Sequence, residues 1–339
     1  METPIGEVRR VKTGLTSQDT WENCKVRWGI NRYNYLISPG LYAVGNPDQN
    51  APVLVTANYK LTFDLVRKEL TGQNLWILVL DTKGINVWCA AGKGTFGTSE
   101  LINRINRTQL GRVISHRKII IPQLGAPGVA SQQVTRSTGF KVVFGPVRAE
   151  DIPQFLNNGW KATAEMRRVR FDFKDRLVLT PMEIIPGLKL LLIPLVLFLV
   201  LNTITHQGLD LTTVTSTILN LVPYIGAFLM GTFGVPLLLP YLPFRSFAVK
   251  GLFLGALWAA LFVKFHGAFM FSDNHYVLIG NVLLLLSMTT YTALNFTGSS
   301  MYTSFSGTLK ETIITVPIIV LALIVGIGLL VWQTIFNVG

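Results

Sequence analysis

LWILVLDTKGINVWCAAGKGT, residues 75–95, is the stretch that decides the fold of the amino-terminal half. LWILVLDT reads as a buried strand, GIN as a loop, and VWCAAGKG followed by TSELINRINRTQL as helical. The same alternation continues outward. PVLVTANY is a strand and KLTFDLVRKEL an amphipathic helix. KIIIPQLGAP is a strand ending in a Gly/Pro turn, FKVVFGPV a further strand, and AEDIPQFLNNG a helix opened by acids and closed by Gly159. Residues 1–30 read as an irregular lead-in. Strands alternating with helices predict a mostly parallel sheet with helices on both faces. Ligands in such folds sit beyond the carboxyl ends of the strands, so chemistry is expected in the loops after Asp81 and Ile121.

The second half lives in a different solvent. Half of the 339 residues are hydrophobic and 14% are charged, against about 25% charged in an ordinary soluble domain. Of the 30 Lys and Arg residues, 25 precede Leu188. Five apolar segments follow, at about 184–205, 216–241, 248–266, 276–296 and 313–336. Each approaches or exceeds the ~20 residues that cross a bilayer. The expected organisation is an α/β head over 1–180 and an all-α transmembrane domain of five helices over 181–339.

Arg245, Lys250 and Lys310 fall on the same side as the head and Lys264 on the other. METPIGEVRRVKTG has no apolar core of a secretory signal. Together these predict a multi-pass protein of the cell membrane with a cytoplasmic head and an external C-terminus. The cluster Lys161, Arg167, Arg168, Arg170, Lys174 and Arg176 lies just before the first span, where basic residues attract the anionic lipid of the bilayer. The net charge of +12 therefore has a membrane cause. The basic residues are scattered among acids without a nucleic-acid-binding signature, so no nucleic-acid partner is expected. Within the spans, Asn281 and Asn295 read as helix-packing residues, and Lys264 and His266 as snorkelling groups. No acid or ion-pair chain marks a conduction path.

Chemistry concentrates at Cys89. The chain has two cysteines, which excludes an iron–sulfur cluster held by this chain alone. A cysteine near a helix start with Lys93 one turn on is disposed toward thiolate, and Ala90, Ala91 and Gly92 leave room for a bulky flat ligand. A lone cysteine after a strand is otherwise a small buried hydrophobe, and Cys24, with no motif around it, reads so. GKGT is not a phosphate loop, because Gly94 follows Lys93 where Ser or Thr is required. His116, the head's one histidine, lies in the basic string SHRK.

NVWCAAGK closely resembles the cap-helix motif of the membrane corrinoid proteins of the bacterial and archaeal mercury-methylation pair. A head of this size followed by five spans resembles that family too, as does TGSSMYTSFSG between the fourth and fifth spans. The resemblance implies a Rossmann-like corrinoid-binding head, similar to the corrinoid domain of the corrinoid iron–sulfur protein of acetogenic metabolism. It implies cobalamin or a related corrinoid bound without its own lower base, with Cys89 in the lower axial position of cobalt. Asn86, Val87, Trp88, Ala90, Ala91, Gly92 and Lys93 would form the cap helix beneath the ring. The implied activity is a cobalamin-dependent methyltransferase that converts Hg(II) to methylmercury. Its methyl donor is of methyltetrahydrofolate type, and its partner is a ferredoxin-like protein with two 4Fe–4S clusters.

Thr56 and Thr62 would then hydrogen-bond corrin amides, or else cap the helix after the first strand. Gly125, Ala126, Pro127 and Gly128 would let backbone approach the corrin or its tail, or form a plain turn. The residues agree with thiolate ligation. The nearest approach to a D-x-H-x-x-G imidazole motif is Asp273-Asn274-His275, with Leu278 where glycine is required, and it lies between spans. A donating thiolate opposite a cobalt-bound methyl would favour its departure toward an electrophile such as Hg(II). Two further readings remain open at this level: a membrane-anchored corrinoid methyl carrier for another acceptor, and a membrane transporter or receptor with a ligand-sensing head.

Overall fold

The computed structural model describes residues 1–299 and 305–337, so residues 300–304 of the TGSSMYTSFSG segment lie outside the described residues. The chain divides into two compact units, Met1–Val26 with Ile30–Arg170, and Arg27–Gly29 with Phe171–Gly339.

The first unit is an α/β head. Strands β1 (Glu2–Thr3) and β2 (Gly6–Glu7) form a small hairpin, followed by β3 (Arg9–Val11) and helix α1 (Ser17–Arg27). Then come β4 (Gly40–Val44), β5 (Val53–Ala57), α2 (Lys60–Lys68), β6 (Leu75–Leu80), α3 (Val87–Lys93), α4 (Thr98–Arg107) and α5 (Leu110–Val113). The unit closes with β7 (Lys118–Ile121), α6 (Ser131–Thr138), β8 (Lys141–Phe144) and α7 (Ile152–Asn157). The main sheet has the order β3-β4-β6-β5-β7-β8. Strand β6 sits inside it, and its alternate residues serve two cores. Leu75, Ile77 and Val79 join Leu54, Phe63 and Phe155 on one face; Trp76, Leu78 and Leu80 join Val53, Leu101 and Ile121 on the other. That two-sided burial explains the unbroken apolar run at 75–80.

The sheet is mostly parallel, as expected, and one antiparallel pairing makes it mixed. Strands β6, β5, β7 and β8 are parallel, but β4 runs antiparallel to β6 and carries β3 beside it. The lead-in is also ordered. Its helix α1 has no apolar stripe to announce it; charge fastens it to α2 instead. Asp64, whose side chain is fully buried, receives Lys60 at 2.8 Å and Arg67 at 2.7 Å, and Asp19 of α1 receives the same two cations at 2.8 and 2.9 Å. Burial pushes the Asp19 carboxyl up, but hydrogen bonds from Lys60, Thr16 and Arg67 outweigh it and hold it well below the usual carboxylate range. Burial raises the Tyr35 phenol, which also contacts Lys60 and Asp64, to about 12.

The second unit is helical, with α8 (Phe173–Gly187), α9 (Leu192–Thr205), α10 (Leu211–Leu229), α11 (Val235–Leu238), α12 (Phe247–Phe265), α13 (His275–Asn295) and α14 (Phe305–Asn337). With their one-turn connectors these make five helices long and apolar enough to cross a membrane: Phe173–Thr205, Leu211–Leu238, Phe247–Phe269, His275–Asn295 and Ser306–Phe336. The first begins before residue 184 because Asp172 and Asp175 form a reciprocal capping box ahead of the apolar run. Glycines bring the helices close. A Cβ on Gly251 of α12 would meet Ala293 and the Thr289 carbonyl of α13, and one on Gly280 would meet the backbone of Gly326 in α14. Asn281 is a packing residue, accepting from the Tyr224 hydroxyl at 2.8 Å. Asn295, expected to pack, is exposed instead.

Asp64→Ala would leave Lys60 and Arg67 without their buried counter-ion and is expected to cost about 3–5 kcal/mol in chemical denaturation. The Asp19 contribution has the sign of a depressed carboxylate. It is fully present above the unfolded pKa of about 4 and is lost as pH falls further. Asp19→Asn should flatten the acid limb of a stability–pH profile.

Candidate functional site

A cavity of about 270 Å³ opens at the carboxyl ends of β5, β7 and β8, walled by Leu54, Val66, Ile120 and Ile152. The start of α3 supplies Asn86, Val87 and Trp88 to its rim, and the loop after β7 supplies Pro122 and Leu124. Both loops singled out by strand polarity therefore border it. Thr56 and Thr62 line it as well. Neither caps α2, whose first turn follows Tyr59 with no side-chain cap. The Thr56 hydroxyl is buried with no hydrogen-bond partner among the described residues, and so are Thr95 Oγ1 and Gln123 Oε1 in the segments that follow α3 and β7. A buried hydroxyl left unpaired costs about 1–3 kcal/mol, and such atoms mark places where another group completes the bonding.

Helix α3 is positioned from outside itself. Asn58, the residue after β5, turns its carboxamide toward the loop that follows β6. Its Oδ1 accepts from the backbone N–H of Thr82 and of Gly84, each at 3.0 Å. The Thr82 hydroxyl lies 2.9 Å from the same oxygen and donates to the Ile85 carbonyl at 2.7 Å. Gly84 has φ +70°, and a Cβ there would strike the Leu36 side chain at 2.3 Å, so only glycine fits the bend. Beside it, burial pushes the Asp81 carboxyl up, but hydrogen bonds from Lys83 prevail and hold it below its ordinary value. Asn86 then caps α3, its Oδ1 accepting the Cys89 backbone N–H at 2.9 Å.

This capped helix sorts its residues by face. Val87, Ala90 and Ala91 are buried, whereas Trp88, Cys89, Gly92 and Lys93 are exposed. Cys89 is a free, exposed thiol and not a buried hydrophobe; Cys24 is half-buried. The alanines, expected to make room for a ligand, belong to the core beneath the helix. The residues Gly125, Ala126, Pro127 and Gly128 form a 3-10 helix spanning Gln123–Gly128 in place of a simple turn. A Cβ on Gly125 would lie 2.5 Å from the Phe96 ring, and one on Gly128 would lie 2.1 Å from the Phe96 carbonyl and 3.2 Å from Ala91 Cα. These glycines allow close approach of the 3-10 helix to α3 and its following turn. Sequence reasoning passed over Asn58 and Thr82, and took in Thr95 and Gln123 only as part of the stretches around Cys89 and Gly125. A polar residue just past a strand end was the available signal for Asn58 and Thr82.

Among the described residues, no group of three or more His, Cys, Asp or Glu side chains is placed to hold a metal ion. Cys89 is the one soft donor that α3 exposes.

Residues 33–156 match the family model described as CO dehydrogenase/acetyl-CoA synthase delta subunit. The matched stretch contains every candidate site residue named above. The chain is also similar to subunits named as gamma of the acetyl-CoA decarbonylase/synthase complex. It is 34% identical over 122 residues to that of Methanopyrus kandleri, covering 35% of this chain and 26% of the relative. It is 35% identical over 126 residues to that of Methanocaldococcus jannaschii, covering 37% and 25%. It is 32% identical over 126 residues to that of Archaeoglobus fulgidus, covering 37% and 26%. The chain spans about a quarter of the length of these curated relatives. The family match ends before the first of the five long apolar helices.

Two glycines near Cys89 should respond in opposite ways. Gly128→Ala, which drives a Cβ into backbone, is expected to lower head stability by about 1–3 kcal/mol. Gly92→Ala, with nothing within 4 Å, should be neutral or raise it by about 0.4–1 kcal/mol. Thermal unfolding of the two variants side by side reads the difference.

Proposed function

We propose that the head binds cobalamin or a related corrinoid, with Cys89 as the residue that would hold its cobalt, and that the protein transfers a methyl group to Hg(II), forming methylmercury. The observation that carries this reading is the arrangement of α3. One face of a short, firmly capped helix exposes a free thiol, while its first turn borders an apolar cavity that contains the unpartnered Thr56 hydroxyl. The residues fit the ligand. A corrinoid pairs a flat apolar ring with peripheral amides, and the cavity admits an arm of such a molecule rather than the whole. The likeness of the matched stretch to acetyl-CoA decarbonylase/synthase subunits supports the corrinoid, and the NVWCAAGK motif supports the mercury chemistry.

When bound, the corrinoid supplies a cobalt that accepts and releases a methyl group. The chain supplies the rest. Asn86 and Asn58 hold the backbone that carries Cys89, so the thiol is presented in a set place. Thr56 and Thr62 would hydrogen-bond amides of the ligand, Val87, Trp88, Ala90, Ala91, Gly92 and Lys93 would form the helix that holds it, and Gly125–Gly128 brace that helix. Residues 1–180 are the corrinoid domain, and residues 181–339 hold it at the membrane, with the head cytoplasmic and the C-terminus outside. The distribution of Lys and Arg supports that orientation. With two cysteines the chain holds no iron–sulfur cluster of its own. Electrons therefore come from a partner, which the family resemblance implies is a ferredoxin-like protein with two 4Fe–4S clusters, and the same resemblance implies a methyltetrahydrofolate-type donor of the methyl group.

A second reading has its own support. The relatives described above are named for acetyl-CoA decarbonylase/synthase, which favours a corrinoid methyl carrier with an acceptor other than mercury.

The full chain reconstituted with cobalamin should show a shifted absorbance spectrum that Cys89→Ala abolishes; an identical spectrum in the variant would exclude cobalt–thiolate ligation. Supplying Hg(II) to the methyl-loaded protein should yield methylmercury. Intact ligation without that product would point to the carrier reading. Thr56→Val separates ligand from fold, because removing an unpaired hydroxyl should stabilise the ligand-free head while weakening corrinoid binding about tenfold.

A further inference from the structure

In the helical unit, a cavity of about 600 Å³ lies between α12, α13 and α14. Its walls are aliphatic, including Leu252, Leu283 and Ile318, but it is not uniformly apolar. Lys310 and Glu311 line it near the start of α14, together with Ser246 at the start of α12. Glu311 Oε1 accepts from the Ser246 hydroxyl and from the Ala248 backbone N–H, both at 2.6 Å. Its second oxygen has no hydrogen bond among the described residues, and the Lys310 ammonium has no ion pair among them. Deeper in the cavity, Thr290 and Ser287 of α13 border it. The Ser287 hydroxyl is buried and has no hydrogen-bond partner among the described residues. Ser287 lies three residues, about 4.5 Å, further along the helix axis than Thr290.

A charged pair at the end of a bundle, an aliphatic groove running inward from it and an orphaned hydroxyl part-way down match one class of ligand. We propose that this groove binds a single glycerophospholipid with a primary-amine headgroup, phosphatidylethanolamine. Its phosphate faces Lys310, its ammonium donates to the free Glu311 oxygen, an ester carbonyl accepts from Ser287, and an acyl chain fills the groove against Leu252, Leu283 and Ile318. A phosphatidylcholine headgroup has no N–H to donate, and phosphatidylglycerol has no ammonium.

The test is native mass spectrometry of the delipidated full chain offered phosphatidylethanolamine, phosphatidylcholine or phosphatidylglycerol of identical acyl chains. One phosphatidylethanolamine should be retained about tenfold better than either alternative, as expected for charge-assisted hydrogen bonds. Lys310→Ala removes no hydrogen bond or ion pair among the described residues, and Glu311→Gln keeps the acceptor for Ser246 and Ala248. Each should erase the headgroup preference, and Leu252→Trp should block retention of the lipid. Equal retention of the three lipids, a preference for phosphatidylglycerol, or a preference unchanged in Lys310→Ala and Glu311→Gln would each overturn the proposal.

Discussion

One carboxamide oxygen governs the geometry of the head's candidate site. Asn58 Oδ1 gathers the N–H groups of Thr82 and Gly84 and stands beside the Thr82 hydroxyl, so the loop after β6 is pinned to the end of β5. Everything downstream inherits that position: the Gly84 bend, the Asn86 cap and the third residue of α3, which is Cys89. The donors are buried, so the interaction is difficult to replace. Leaving either N–H unpaired would cost about as much as the whole hydrogen bond contributes in the interior.

Packing and polarity divide the labour around α3. The face carrying Ala90 and Ala91 is brought down onto the core, and Gly128 lets the neighbouring 3-10 helix approach to backbone contact. This rigid underside leaves the other face free to display Trp88 and Cys89. The cavity wall meanwhile retains the unpaired hydroxyl of Thr56. The small residues give precision in placement and the orphaned polar atom gives capacity for a ligand; neither could be exchanged for the other without loss of one property.

Much of this was legible in the sequence where periodicity and turn chemistry speak. The unbroken apolar run of 75–80 announced an inner strand, the loop and small residues after it announced a helix carrying Cys89, and the long apolar stretches announced five helices able to cross a bilayer. What escaped was held by interactions with no local pattern. Helix α1 has no apolar stripe, and beyond the single buried apolar residue Val26 it is fastened by Asp19 meeting Lys60 and Arg67, residues distant in sequence. The antiparallel pairing of β4 with β6 in the otherwise parallel main sheet escaped too, since a continuous apolar strand looks alike whichever way its neighbour runs. In the site, residue types were readable but facing was not. Ala90 and Ala91 looked like space left for a ligand and turned out to be the contact surface of the helix with its core.

The dependence of α3 on Asn58 bears on how the motif can be moved. Residues 86–93 contain a cap, a thiol and small packing positions that decide which face is buried, yet nothing in them fixes where the helix stands relative to the cavity. Transplanted alone into another α/β domain, the octapeptide would fold into a helix with no assigned bearing. A graft that keeps its aim must carry a triplet from three separate chain segments, namely the asparagine past β5, the left-handed glycine at 84 and the bare glycine at 128. The heritable unit of this site is therefore a scattered set of positions, of which the recognisable string is the visible fraction.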